Sequence, residues 1–353
     1  MKIMELKQKV ASIIQKHEKE IAARVVDSIY SEQSEVWEKY GEEGRRLSIR
    51  DTEYHLSYLT EAVTSGDSSV FSDYVEWVKK LFAGLNLPQD TMRDTMHHMN
   101  QVVESYLDSE MSSLVTPVFD EAERVLDQEE VQQDAHYLSD QNPHGNLAKA
   151  FNQDLLQGDR KSAYHRIMKA VESGVPVQDL YLHVFQPSQY EIGRRWLANE
   201  ISVAKEHFAS AATQQIMSQL YPYIFNSQRV GKSMVAATVG GELHEMGIRM
   251  VADFFEMEGW DTWYLGANTP LQSLLQTLDE YHPDLVALSA AMPFHRSILR
   301  EFIQGIRNHD KHVKIMVGGK AIKRTEDVIK SFAADGYAVD ALGAVEEANK
   351  LVS

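Results

Sequence analysis

No cysteine occurs among the 353 residues. That absence excludes disulfides, thiolate metal sites, iron–sulfur clusters, cysteine nucleophiles and any chromophore tethered through a thioether. Excess positive charge is missing too. The formal net charge is −17, and no basic run is longer than "KRT", whereas nucleic-acid binding needs a basic surface. No apolar stretch approaches the ~20 residues that span a bilayer, so neither nucleic acid nor membrane is an expected partner. The opening "MKIMELKQKVASIIQKHEKE" mixes charged and apolar residues at helical spacing and does not read as a signal peptide. A cytoplasmic protein with protein or small-molecule partners is expected. With 43% hydrophobic and 25% charged residues, the chain suits two or three folded domains.

Three patterns follow one another along the chain. Residues 1–137 read as helical. "ELKQKVASIIQKHEKEIAARVVDSIY" spaces apolar residues three and four apart. One helix should end near Gly84, and another should start after Pro88 with Asp90 as its N-cap. "FDEAERVLDQEEVQQDAH" has the acidic periodicity of a solvated connecting helix. The turn-rich "LSDQNPHGN" (138–146) reads as a linker. Residues 146–226 then form a second helical block, broken at "QGDR", "SGVP", "QPS" and "NEIS", which predicts a four-helix bundle. From about 230 to 353, short apolar runs ("SMVAATV", "TWYLG", "DLVALSA", "VKIMVGG", "GYAVD") alternate with amphipathic stretches. That alternation predicts a parallel, doubly wound α/β domain, with ligands bound outside the carboxyl ends of the strands. The fold class expected is thus α plus α/β, in several domains.

The first strand–helix junction of that domain, "VGGELHEMG", holds two glycines, Glu242 and His244. It contains neither a GxGxxG fingerprint nor the Lys-Ser/Thr pair of a P-loop. By position alone His244 suits a surface loop. A carboxylate two residues earlier, however, is also the partner that a metal-bound histidine commonly has. Ser289 ends a later strand on the same edge, and Gly318 and Gly319 end the next.

Glu242-x-His244-x-x-Gly247, then Ser289, then Gly318-Gly319, resembles the cobalamin-binding pattern of methionine synthase and related corrinoid proteins over about 230–353. The resemblance implies a Rossmann-like domain holding cobalamin base-off, with His244 as the lower ligand of cobalt. Glu242 and Ser289 would form a relay behind that histidine, and Gly318 and Gly319 would make room for the nucleotide tail. Ser289-Ala290-Ala291 departs from the family's serine–x–leucine.

In the helical block, "EIGRRWLANEISVAKEHFASAATQQIM" puts Trp196 ten and eleven residues before Glu206 and His207. Alone, these residues suit a core tryptophan and a helix surface. Beside a cobalamin motif they resemble the Trp-x9-Glu-His signature of CarH-type light sensors. That likeness implies adenosylcobalamin, with Trp196, Glu206 and His207 enclosing the adenosyl group, and a bundle that moves against the sheet domain after photolysis. Leu197 stands where those repressors have a histidine, so bis-histidine ligation through that position is unavailable. No helix-turn-helix with a basic recognition helix is present.

The block 70–107 resembles helical, globin-like bacterial sensor domains, and also the photocobilins, which join such a block to a cobalamin domain and a bilin. The likeness implies biliverdin held non-covalently, with Tyr74, Trp77, His97 and His98 as candidate contacts; haem is an alternative for the same residues. A photoreceptor signalling through self-association, as a light-dependent homo-oligomer, or through a protein partner is therefore expected, and not an enzyme. The alternatives are a corrinoid carrier of a methyltransferase system and a cobalamin-level sensor indifferent to light.

Overall fold

The computed structural model describes residues 2–88, 90–128, 135–225, 227–322 and 332–353. The chain divides into two compact units, Met1–Asp134 with Leu197–Glu200, and Ala135–Trp196 with Ile201–Ser353.

The first unit is helical: α1 Lys2–Glu32, α2 Gly41–Ser65, α3 Ser69–Gly84, α4 Thr91–Glu104 and α5 Ser109–Leu126. Along α1 the periodic stripe Val10, Ile14, Ile21 and Val25 is buried, as an amphipathic helix requires. Asp90 stands at the N-cap of α4 as expected, but its side chain makes no capping hydrogen bond. The acidic stretch expected to be a solvated connector begins inside α5, where Phe119 and Ala122 are buried. Its residues 129–134 lie outside the described part.

In the second unit the helical block comprises α6 Gly145–Leu156, α7 Arg160–Glu172, α8 Gln186–Leu197 and α9 Val203–Gln219. Breaks fall at "QGDR", "SGVP" and "NEIS" as predicted. "QPS" is not a break. A turn at Val177–Leu180 and a π turn at Tyr181–Phe185 run directly into α8. Pro187 has no N–H to give to the His183 carbonyl one turn back, and the linker residue Asn142 supplies the missing donor, with its Nδ2 2.7 Å from His183 O. The wider π turn and this side-chain bond let the helix continue through proline.

The sheet contains β1 Ser233–Thr238, β2 Asp261–Gly266, β3 Leu285–Ser289, β4 Lys314–Gly318 and β5 Gly336–Ala338. All pairings are parallel and the strand order is β2-β1-β3-β4-β5. Helices α10 Met246–Met257, α11 Leu271–Tyr281, α12 Arg296–His309 and α13 Ala341–Leu351 accompany it. Side-chain alternation along the strands sorts the core into two layers. Val235, Ala237, Val286, Leu288, Ile315 and Val317 pack with α11 and α12. Met234, Ala236, Leu285, Ala287 and Met316 pack with α10, α13 and the helical block. Block and sheet therefore share one core, and the two separate domains expected at 146–226 and 230–353 form a single unit.

Candidate functional site

Strand order reverses between β1 and β3, and their carboxyl ends open the crevice where such sheets bind ligands. The loop after β1 is tied down from three sides. Thr238 Oγ1 and Asn268 N both donate to Glu242 O, at 2.8 and 2.9 Å, and Gly241 N donates to Asn268 Oδ1 at 2.7 Å. Gly241 has φ +80°, and a Cβ there would meet His295 Nε2 at 3.3 Å, so glycine serves both the turn and the close approach.

These constraints bury Glu242 completely, with both carboxylate oxygens engaged. Oε1 accepts from His244 N at 3.0 Å and His244 Nδ1 at 2.6 Å. Oε2 accepts from Ala291 N at 2.7 Å, Met292 N at 3.0 Å and His295 Nδ1 at 2.9 Å. Burial alone would raise the Glu242 carboxyl, but the His244, His295 and backbone donors outweigh it and hold the group well below the usual carboxylate range. The hydrogen bond to Glu242 raises the proton affinity of His244 against the effect of burial. With Nδ1 donating to Glu242, Nε2 is the nitrogen left for a ligand, on a side chain 62% exposed.

Ser289 ends β3 buried, in register with Thr238. It is not among the partners of the Glu242 carboxylate found in the described residues. The expected Glu242–Ser289 relay is replaced in the structure by His295 and two backbone N–H groups. His295 lies six residues after Ser289, at the end of "AAMPFH", and no spacing rule singles it out. It is 5% exposed, at the entrance to α12.

Gly318 and Gly319 follow β4. A Cβ on Gly319, at φ +100°, would come within 2.2 Å of Ala290 O, and one on Gly318 within 3.2 Å of Ala338 O. Both glycines thus serve close backbone packing between neighbouring strand ends. At Gly247, in the first turn of α10, a Cβ would meet nothing within 4 Å, which leaves open space beside the His244 loop.

The helical block brings Glu206 within electrostatic reach of His244, where its negative charge favours the protonated ring. Both oxygens of Glu206 are engaged, at 2.9 Å from Ser210 Oγ and 2.6 Å from His207 Nδ1. Their helix, α9, starts at Ser202, whose side chain accepts from Lys205 N. His207 is largely exposed, as is Leu243 in the strand loop, and Val203 and Phe208 are partly so. Trp196 is half-buried near the end of α8, and Leu197 after it is buried. Further along α9, Gln214 Nε2 donates to Glu245 Oε1 at 3.2 Å, and Tyr264 Oη donates to Glu245 Oε2 at 2.8 Å.

Among the described residues no group of three or more His, Asp or Glu side chains is placed to hold a bare metal ion. One exposed imidazole with a buried carboxylate behind it suits a metal that arrives with its other ligands in a macrocycle. The donor set and the open ground at Gly247 therefore fit a corrinoid.

In the helical unit, Tyr74 is buried, stacked on Tyr58 at 3.6 Å between ring centroids, with its hydroxyl 2.8 Å from His55 Nδ1. Burial lowers His55 to about 4. Trp77 lies 6.2 Å from Tyr74. His98 is buried with Nε2 3.3 Å from Glu32, whereas His97 bonds outward to Gln101. The pair His97–His98 therefore points two ways, and His55 is the imidazole that joins Tyr74.

Comparison with known proteins agrees with this geometry. Residues 232–346 match the family model of the B12 binding domain, residues 147–221 match a second B12 binding domain model, and residues 2–144 match the phycobilisome protein model. Dimethylamine corrinoid protein 1 of Methanosarcina acetivorans is 26% identical over 166 residues, covering 46% of this chain and 75% of that protein. The HTH-type transcriptional repressor CarA of Myxococcus xanthus is 29% identical over 134 residues, covering 38% of this chain and 43% of the repressor. The solved monomethylamine corrinoid protein of Methanosarcina barkeri shares the fold, with TM-score 0.52 and 17% identity over 59% of this chain and 98% of that one. No described helix is long and apolar enough to cross a membrane. Together these matches show that the stretches 147–221 and 232–346 are similar to B12 binding domains.

Proposed function

We propose that the protein is a light sensor that binds adenosylcobalamin base-off, with His244 on cobalt and Trp196, Glu206 and His207 around the adenosyl group. The observation that carries this reading is the 2.6 Å contact of His244 Nδ1 with the buried Glu242 carboxylate. It lies inside a stretch that matches one B12 binding domain model (232–346), while Trp196, Glu206 and His207 fall inside the stretch that matches a second (147–221). When bound, adenosylcobalamin supplies a cobalt–carbon bond that visible light breaks.

The chain's own residues divide the work. Glu242 fixes the tautomer of His244 and strengthens its donor nitrogen. Glu206, held by Ser210 and His207, offers a carboxylate to ribose hydroxyls, and Trp196 offers an aromatic face. Val203 and Phe208 on α9 and Leu243 in the His244 loop are exposed apolar side chains that would gain apolar cover if a bound macrocycle reached them. A change in the upper ligand then biases two arrangements of α9 and its surroundings, which a switch requires. Output runs through self-association or a protein partner. The match of residues 2–144 to the phycobilisome protein model supports a bilin, biliverdin held without a thioether, as second chromophore in the helical unit. There the buried His55–Tyr74–Tyr58 cluster supplies an imidazole and aromatic surface, with Trp77 beside it.

The test is to purify the full chain with adenosylcobalamin in the dark, then record its spectrum and its size by light scattering before and after green light. Changes in both support the sensor. An unchanged spectrum and size reject it.

A second reading is a corrinoid carrier for methyl transfer. It is favoured by the similarity to dimethylamine corrinoid proteins. It predicts preference for methylcobalamin and methyl transfer to a thiol acceptor in the presence of a methyltransferase.

A further inference from the structure

The reading of His244 as a cobalt ligand leaves one buried imidazole unused. His295 enters the site from the loop after β3 and aims Nδ1 at Glu242 Oε2, 2.9 Å away. The geometry points to His295 as a positioning residue: it locks the far oxygen of Glu242, so that the near oxygen is presented to His244 in one orientation. This inference rests on the cobalamin reading above and extends it to a residue on a different loop.

The reasoning starts from what a glutamate needs. Its last torsion is broad and roughly two-fold, so a buried carboxylate turns unless both oxygens are held. Oε1 has two donors, both from His244. Oε2 has three, and all come from residues 291–295. The two backbone N–H groups fix the oxygen's position. His295 adds the only side-chain donor on that oxygen among the described residues. At 5% exposure it has little water to fall back on, so breaking the bond would strand a buried imidazole N–H and leave Oε2 to the two backbone donors alone.

The histidine is itself held. Its ring lies 4.3 Å from that of Phe294, inclined to it at 64°. Its other nitrogen approaches the Gly241 position closely enough that a Cβ there would lie 3.3 Å away. The loops after β1 and β3 are therefore keyed together: Gly241 leaves room for His295, His295 holds Glu242, and Glu242 orients His244. Ser289, one strand residue below, makes none of these contacts. Partners behind a metal-bound histidine typically change metal affinity 10- to 100-fold when removed, and His295 is one step further back, so the expected effect lies at the lower end.

The experiment uses the full-length protein labelled with ¹⁵N and loaded with cob(II)alamin. Protein imidazole on cobalt then gives a two-line nitrogen splitting in the electron paramagnetic resonance spectrum, whereas the unlabelled tail base would give three lines. Wild type and His295→Asn, whose amide falls near the Nδ1 position, should show the full doublet. His295→Leu, and His295→Gln with its amide near the Nε2 position, should lose most of it and bind hydroxocobalamin about tenfold more weakly. An undiminished doublet and unchanged affinity in His295→Leu would overturn the inference while leaving His244 as the ligand. A wild-type protein that binds cobalamin without any doublet would overturn the ligand assignment and this inference together. If His295→Leu does not fold, the Asn and Gln variants decide: equal behaviour of the two overturns a role for Nδ1.

Discussion

Tyr181 donates its hydroxyl proton to the Asp253 carboxylate at 2.6 Å, joining the π turn of the helical block to the middle of α10. Both side chains are buried. Burial pushes Asp253 up to about 6, against the hydrogen bond from Tyr181 and the charge of Arg249. A carboxyl whose folded pKa exceeds its unfolded value contributes stability that is full below about pH 4 and lost as pH rises through about 6. Asp253→Asn should remove that slope. Relative to wild type, the variant should gain stability between pH 4 and 7, by up to about 3 kcal/mol. Urea midpoints at pH 4.5 and 7.0 measure it, and equal wild-type–variant differences at the two pH values would count against it.

Trp196→Ala should leave hydroxocobalamin binding within about threefold of wild type while weakening adenosylcobalamin by about tenfold, the scale of one lost aromatic stacking contact. His244→Ala should weaken both and abolish the imidazole-ligated spectrum. Parallel titrations with the two cobalamins separate these effects. Equal loss of both in Trp196→Ala would place the tryptophan in the core and not at the adenosyl group.

Gly319→Ala should destabilise the second unit by about 2–4 kcal/mol, because its methyl group would overlap the Ala290 carbonyl at a backbone angle that side chains resist. Thermal unfolding followed by circular dichroism reads the loss. Gly247→Ala, with open space around it in the first turn of α10, should leave stability unchanged or raise it by up to about 1 kcal/mol, and instead interfere with cobalamin binding.

Asn142→Ala should strand the His183 carbonyl that Pro187 cannot serve, at a cost of about 1–3 kcal/mol. Restoring an N–H through Pro187→Ala in the same chain should recover most of it. A double-mutant cycle on chemical unfolding gives the coupling, and additive losses would mean the π turn does not depend on Asn142.

Much of the second unit was legible in the residues. Short β-rich runs gave all five strands, and strand ends implied a loop site because side-chain period and glycine placement are local properties. The Glu242–His244 contact was also legible, since two residues of spacing in one loop bring the groups together. His295 was not. It is far from Glu242 in sequence and reaches it only because β1 and β3 become neighbours, a pairing that no local pattern encodes. Pro187 misled for the opposite reason: proline is a strong local breaker, and only a distant asparagine and a π turn cancel it. In the helical unit, adjacency of His97 and His98 suggested a shared site. Neighbours on a helix diverge by about 100°, however, and the buried imidazole beside Tyr74 comes from another helix.

The shared core of helical block and sheet carries a mechanical implication. Phe151, Phe185, Ile216, Met234, Ala236 and Phe254 belong to one continuous buried cluster, so lifting the block as a lid would bare the interior of the whole unit. Arg249 fastens the block lengthwise, with Nη1 3.1 Å from Gln214 O and Nη2 2.7 Å from Ser218 Oγ. Any rearrangement of the block that keeps this interior dry has to slide packed surfaces past one another, one set of interlocking side chains giving way to another.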